Sequence, residues 1–371
     1  MRWGGLTLAA ILLSLVLSGL AMAAGGEQRA LERIVYDNER PLPERLAAMR
    51  ELTGFAREGE FITRKICIWD VVGRNGPIFS AAEDQRTRML AYGIKLKLIP
   101  YTDERVMVEE FKARRCDAAL MSGLRARLFN TYTGTVDAIG GVPSTEHMRI
   151  LLQVLANPES APRMVQGDYV VAGIAPAGGA YIFVNDKRIN TLANAAGKKV
   201  AVLDYDPVQA EMVAQVGATP VPTDIINAPN MFNNGVVDVL AAPLAAYGIM
   251  ELYKGMKPDG GIIDYPLAQI SMQLIAHRDR IPNAAAQLVR EAFFQGFDDM
   301  MRRVREETRD IPEHWWISIP KQDQREYEVM MRDVRLQLRE RGYYSAEMLT
   351  LERRIRCKLV PARAECANPK E

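Results

Sequence analysis

Histidine is scarce in this chain. Only His147, His277 and His314 occur in 371 residues, and none stands near a cysteine. A zinc site needs closely spaced Cys and His ligands, so no metal is expected. The familiar catalytic signatures are missing too. There is no G-x-S-x-G elbow, no H-E-x-x-H, no G-x-x-x-x-G-K-[ST] loop and no G-x-G-x-x-G after a strand. No catalytic residue, enzyme activity or cofactor is therefore expected. An excess of either charge is also lacking, since Lys+Arg total 47 and Asp+Glu total 46. A nucleic-acid binder would carry a clear basic excess, so nucleic acid is not an expected partner. Beyond the N-terminus no long apolar run remains to cross a membrane.

What is present begins with an export signal. Met1-Arg2 gives a positive start, Leu6 to Leu20 is apolar with small-residue breaks, and Ala21-Met22-Ala23 is an A-x-A exit. Together these describe a signal peptide over residues 1–23, cut after Ala23, and a soluble periplasmic product. The four cysteines, Cys67, Cys116, Cys357 and Cys366, are an even number in an exported chain and point to disulfides. Cys67 and Cys116 fall in strand-like runs that neighbouring strands could bridge, and Cys357 and Cys366 could staple the C-terminal tail. The expected pairs are thus Cys67–Cys116 and Cys357–Cys366.

The chain then reads as alternating strands and helices. Residues 24–63 are polar, with a helix over Pro43 to Phe55, and form an N-terminal extension. KICIWDVV, IKLKLIP and CDAALM read as strands. Helices follow over Ile78 to Tyr92 and Glu104 to Arg114, the latter with Val106, Val108 and Phe111 inward. DYVVAGIAP and GGAYIFVND look like two strands joined through Gly and Pro. A second strand–loop–helix unit opens at GKKVAVLDYDP, followed by strands near residues 219, 239 and 270 and one long helix over Pro282 to Glu307. Such alternation implies a mostly parallel sheet covered by helices. The expectation is an α/β, two-lobed fold. Lobe I covers 64–175 with a return segment near 272–309, lobe II covers 176–271, and the chain crosses near 175–185 and 265–275. Residues 310–371 form a helical C-terminal extension whose Trp and Tyr residues clasp the lobes.

In open α/β sheets ligands sit beyond the carboxyl ends of strands. Asp70, Arg74 and Asn75 follow the first strand; Ser122, Arg125, Arg127 and Asn130 follow the third. Asp204, Tyr205 and Asp206 follow the lobe II strand, and Tyr181 lies at the crossing. If the lobes face each other, these residues line one cleft that closes by hinge motion. A polar solute desolvated there needs its hydrogen bonds and charge replaced.

GKKVAV (197–202), VGATPVP (216–222) and GVVDVLAAP (235–243) resemble the second lobe of TRAP-transporter, DctP-like solute-binding proteins. KICIWDVVGRNGPIF (65–79) and SGLRARLFNTYTGTVDAIGG (122–141) resemble the narrower AdeT-type group. The likeness covers about Lys65 to Glu307. It implies a type II, TRAP-like binding fold, capture of a small polar solute, transient docking on a membrane permease, and a monomer. The alternative reading is a periplasmic accessory protein of a transport or efflux complex with no small ligand. The family's strand arginine, which pairs with a carboxylate, is replaced by Ala201, and GGAYIF (178–183) offers no arginine either. The expected ligand therefore carries an amine or several hydroxyls, met by Asp70, Asp204 and Asp206. A carboxylate held by Arg74, Arg125 or Arg127 is the rival.

Overall fold

The computed structural model describes residues 26–90 and 92–371. The signal peptide and its cleavage point lie outside the described residues. Among the described residues, eleven strands form a single connected sheet. They are β1 (Ile62–Trp69), β2 (Ile94–Tyr101), β3 (Ala118–Ser122), β4 (Val165–Gln166), β5 (Tyr169–Val184) and β6 (Lys199–Leu203), then β7 (Thr219–Thr223), β8 (Val239–Pro243), β9 (Gly261–Ile263), β10 (Ala268–His277) and β11 (Trp316–Ile317). The main path is β2-β1-β3-β10-β5-β8-β6-β7. β1 runs parallel to β2 and β3, and β6 runs parallel to β7 and β8. The antiparallel pair β5 and β10 joins these two parallel groups. Two lobes follow directly, because β5 pairs with β10 along most of its length and with β8 at its far end.

Period-two patterning sets the two faces of the lobe I sheet. Cys67, Ala119, Met121, Val171 and Ile275 point to one side, against helices Glu104–Lys112, Thr145–Ala156 and Ala346–Leu359. Ile66, Ile68, Ala118, Val170, Ala172 and Ala276 point to the other, against helices Leu42–Thr53 and Asn283–Gln295. Burying one such Ile or Val side chain is worth about 1.5–3 kcal/mol. Lobe II has its own core, in which Phe183, Phe232, Leu240, Leu252, Met256 and Trp315 are buried together.

Several local expectations are corrected. The two strands expected around residues 169–184 are one. β5 passes Pro176 where its pairing with β10 shifts register, between Gln269 and Ser271, so the missing N–H sits at an irregularity. Gly178 takes φ +85°, open to glycine, and Val304 approaches it closely. The long helix expected over 282–307 breaks at Gly296 into Asn283–Gln295 and Phe297–Thr308, and the one over 78–92 is Pro77–Glu83 plus Gln85–Leu90. Val106 is solvent-exposed, whereas Met107 takes the inward place beside Val108 and Phe111.

Both disulfides are formed, with Cα atoms 5.8 Å apart for Cys67–Cys116 and 5.6 Å for Cys357–Cys366. Cys116 lies just ahead of β3 rather than within it. The C-terminal helices clasp both lobes. Tyr327 and Met331, on helix Lys321–Glu340, pack with Val184, Ile263 and Ile317. Val334, Leu338, Tyr344 and Leu349 pack with Ala138 and with Val208.

Candidate functional site

A continuous cavity of about 980 Å³ runs between the lobes and along the sheet. Residues of both lobes form its walls. Asp70, Val71, Ser122 and Leu124 come from the loops after β1 and β3. Ala175, Pro176 and Ala177 come from the β5 crossing, and Ile270 and Met272 from β10. Ala201, Asp206, Pro243, Ala246 and Ile249 come from lobe II, and Met300, Val304 and Glu307 from helix Phe297–Thr308. Side chains on this wall are mostly small and apolar.

Of the residues expected to line a cleft, Asp70, Ser122 and Asp206 do so. Asp70 is buried, and its carboxylate accepts from the backbone N–H groups of Val72 (2.9 Å), Ile78 (2.8 Å) and Phe79 (3.0 Å). It therefore organises the turn into helix Pro77–Glu83. Ser122 Oγ caps helix Gly123–Ala126 by accepting from Arg125 N–H at 3.3 Å. Asp206 caps helix Pro207–Gln215, accepting from Val208 N–H at 3.2 Å.

Arg125 and Tyr205 meet across the lobes, the Arg125 guanidinium carbon lying 3.5 Å from the Tyr205 ring centre. Arg125 also faces Glu104, with Nε 3.9 Å from Oε2. Burial pushes the Tyr205 hydroxyl pKa up, and the charge of Glu104 adds to it. Arg127 donates to Gly134 O at 3.0 and 3.2 Å and stacks on Tyr343, with 4.3 Å to its centroid. Its charge is thus spent on the chain itself.

The other expected residues stand apart from the cavity. Asn130 is buried, accepting from Thr133 N–H (2.9 Å) and donating to Arg163 O (3.0 Å). Arg74 and Asn75 are solvent-exposed in the turn Gly73–Asn75, with Arg74 over the Phe79 ring. Asp204 is exposed as well. Tyr181 faces lobe II, edge-on to Trp316 at 5.7 Å. These strand-end positions carry polar side chains because loops and caps need them.

Sequence reasoning missed Glu104, Asp137 and Glu307. Glu104 is buried, and its Oε1 accepts from Ser122 N–H at 2.6 Å. Burial pushes its pKa up to about 7, opposed by the Ser122 hydrogen bonds and by Arg125. Asp137 is buried under the crossing, accepting from Ser271 Oγ (2.5 Å) and Ser271 N–H (3.1 Å). Burial raises its pKa to about 7, against the pull of those same bonds. Asp103 caps the helix that carries Glu104. For Asp137 and Glu307 the contacts are long-range and left no local signal.

Among the described residues, no group of three or more His, Cys, Asp or Glu is placed to hold a metal ion. No helix among them is long and apolar enough to cross a membrane.

Comparison with known proteins agrees with this architecture. The chain is 39% identical over 300 residues to the "Probable solute-binding protein AdeT1" of Acinetobacter baumannii, covering 81% of this chain and 99% of that protein. Among solved structures, a TRAP periplasmic solute-binding protein of Desulfovibrio salexigens with bound orotic acid is similar at TM-score 0.67 and 16% identity, over 80% of this chain and 99% of the other. A TRAP periplasmic solute-binding protein of a Bradyrhizobium species in complex with α/β-D-galacturonate is similar at TM-score 0.63 and 18% identity, over 79% and 99%. The family model described as "Solute-binding protein AdeT 1/2" matches residues 65–371, through the C-terminal clasp. The chain belongs to the AdeT 1/2 family of solute-binding proteins, and it has the two-lobed fold of TRAP periplasmic solute-binding proteins.

Proposed function

We propose that the exported protein captures a small solute between its lobes and presents it to a membrane permease of TRAP-like type. One observation carries the reading: a single cavity takes its walls from both lobes at the β5–β10 crossing. On this reading the chain matures by cleavage after Ala23, works in the periplasm as a monomer, and binds without catalysing. Lobe I is residues 64–175 with the return at 272–309, lobe II is 176–271, and residues 310–371 hold the two in register. Asp70, Ser122 and Asp206 shape the cleft rather than grip the ligand, because their side-chain oxygens already serve the backbone. The test is native mass spectrometry of the chain recovered gently from periplasm. A bound small-molecule mass that leaves on denaturation is expected. A bare chain, still bare after incubation with a periplasmic metabolite extract, would refute capture.

A further inference from the structure

We infer that the cleft selects a small amphipathic amine, with its apolar body against the apolar walls of both lobes and its charged nitrogen at Glu307. The inference rests on the capture reading above and gives it a ligand class. The wall supplies the first argument. Val71, Ala177, Pro243, Ala246, Ile249 and Met300 present carbon to the cavity, and an apolar surface leaving water against them gains roughly 25 cal/mol per Å².

The second argument is the state of the cations. A carboxylate ligand needs a paired cation or several donors when it leaves water. Arg125 is engaged by Tyr205 and Glu104, and Arg127 by Gly134 O and Tyr343. Arg303, on the wall, is bound to Asp84 at 2.8 Å. Arg64 donates to Arg280 O at 2.9 Å, and Arg88, exposed on helix Gln85–Leu90, is the one lining cation without a partner among the described residues. Anywhere but at Arg88, an organic acid would have to take one of these partners away.

The third argument is the state of the anions. Glu307 lines the cavity exposed to its solvent, so a ligand can reach it, and no described residue gives it a hydrogen bond or ion pair; Asp70 lines the same cavity. Its carboxyl pKa is raised by burial and then by the Asp70 charge, with the Arg303 charge opposing. A protonated amine placed there relieves the repulsion between the two carboxylates and supplies Glu307 with a donor. The solved relatives described above hold organic acids, orotic acid and galacturonate, so the inference separates this chain from them.

Calorimetric titration of the full mature chain with three matched probes tests it: 2-phenylethylamine, 2-phenylethanol and 3-phenylpropanoate. The amine should bind most tightly. Glu307→Gln should weaken the amine roughly fivefold to tenfold, the size of one partly screened ion pair, and leave the alcohol unchanged. Ala201→Arg, which sets a cation on the wall, should raise affinity for the propanoate. Propanoate binding to the unmodified chain as tightly as the amine would overturn the ligand class while leaving capture intact, as would an amine affinity indifferent to Glu307→Gln. If none of the probes binds, the molecule retained in native mass spectrometry decides. An amine supports the class, an organic acid overturns it alone, and no retained molecule overturns it together with capture.

Discussion

Buried charge is handled in opposite ways in the C-terminal clasp and in the cleft. In the clasp, guanidinium meets carboxylate directly. Arg356 is buried and donates to Glu365 (2.7 and 2.8 Å), to Glu371 Oε2 (2.5 Å) and to Gly141 O (2.7 Å). Arg335 joins the same group through Glu371 Oε1 at 2.8 Å and Ile139 O at 2.8 Å. In the cleft, Asp70 and Asp206 are met by backbone N–H groups instead. Side-chain pairing cancels charge and ties elements together. Backbone pairing fixes a loop but leaves its negative charge in place. The clasp is therefore a neutralised strut, and the cleft wall keeps an acidic bias.

The clasp should be the easier of the two to break. Removing one partner of a buried ion pair leaves the other charge uncompensated, which costs about 3–5 kcal/mol. Arg356→Met should therefore lower the unfolding free energy by about that amount in urea titrations. The buried Glu352, whose oxygens accept no hydrogen bond and whose pKa burial raises well above normal, would lose the cation that most opposes that rise. A loss under about 1 kcal/mol would mean that water already screens the group, and the strut would be an ordinary surface network.

The disulfides sharpen the same contrast by their loop lengths. Cys67–Cys116 closes a sequence separation of 49 and Cys357–Cys366 one of 9. By chain entropy the first should contribute about 4 kcal/mol and the second about 2.5 kcal/mol. Paired Cys→Ala variants in each, compared by denaturation, should keep that order. The reverse order would show that the short C-terminal staple governs the clasp by native packing rather than by unfolded-state entropy.

On the cleft side the buried acids make stability depend on pH. Glu104 and Asp137 both have native pKa values raised to about 7, with burial the leading cause. A raised acid binds its proton more tightly when folded, so its stabilisation is full below the unfolded value near 4. It is lost as pH rises through about 7, at a cost on the order of 3 kcal/mol for each group. Glu104→Gln keeps an acceptor for Ser122 N–H but removes the titration. The variant should match the parent near pH 4 and exceed it at pH 8. A parent whose stability climbs between pH 5 and pH 8, unaltered by Glu104→Gln and Asp137→Asn, would contradict this assignment.

What the sequence could reveal follows the range of the physics. The alternation of Ile66, Cys67 and Ile68 is a local pattern, and the strand it predicts is β1, with Cys67 on one face and Ile66 and Ile68 on the other. The disulfide partners were legible from an even cysteine count in an exported chain. The break at Gly296 was not, since one glycine inside a helical pattern is often tolerated. The site was less legible than the fold. Polar residues after strands are needed for capping as often as for binding, and only the distance from Asp70 to Phe79 N–H tells which role applies. In sequence, Glu307 is far from every loop that the strand-end rule examines. It meets the cavity because Gly178 lets Val304 approach β5 and brings that helix face with it.

The smallest expected effect tests how the two regions communicate. Tyr343 sits where clasp and cleft touch, with Arg127 of lobe I 4.3 Å from its ring centre. Burial raises its hydroxyl pKa, and Asp206 of lobe II adds to that rise, placing the lobe II acid close by. One side chain thus touches residues of both lobes through the clasp. A cation–π contact of this kind contributes about 0.5–1 kcal/mol, too little to hold the fold but enough to bias a hinge. Tyr343→Ala should leave the urea midpoint within about 1 kcal/mol of the parent. The distance distribution between spin labels placed on exposed positions of the two lobes, such as Arg74 and Val236, should nevertheless broaden in the ligand-free protein. Tyr343→Phe retains the ring and should broaden it less. Distributions that do not change in either variant would mean that the buried apolar contacts of Leu338 and Tyr344 with Val208 and Ala138 alone set the angle between the lobes, with clasp and cleft mechanically independent at Tyr343.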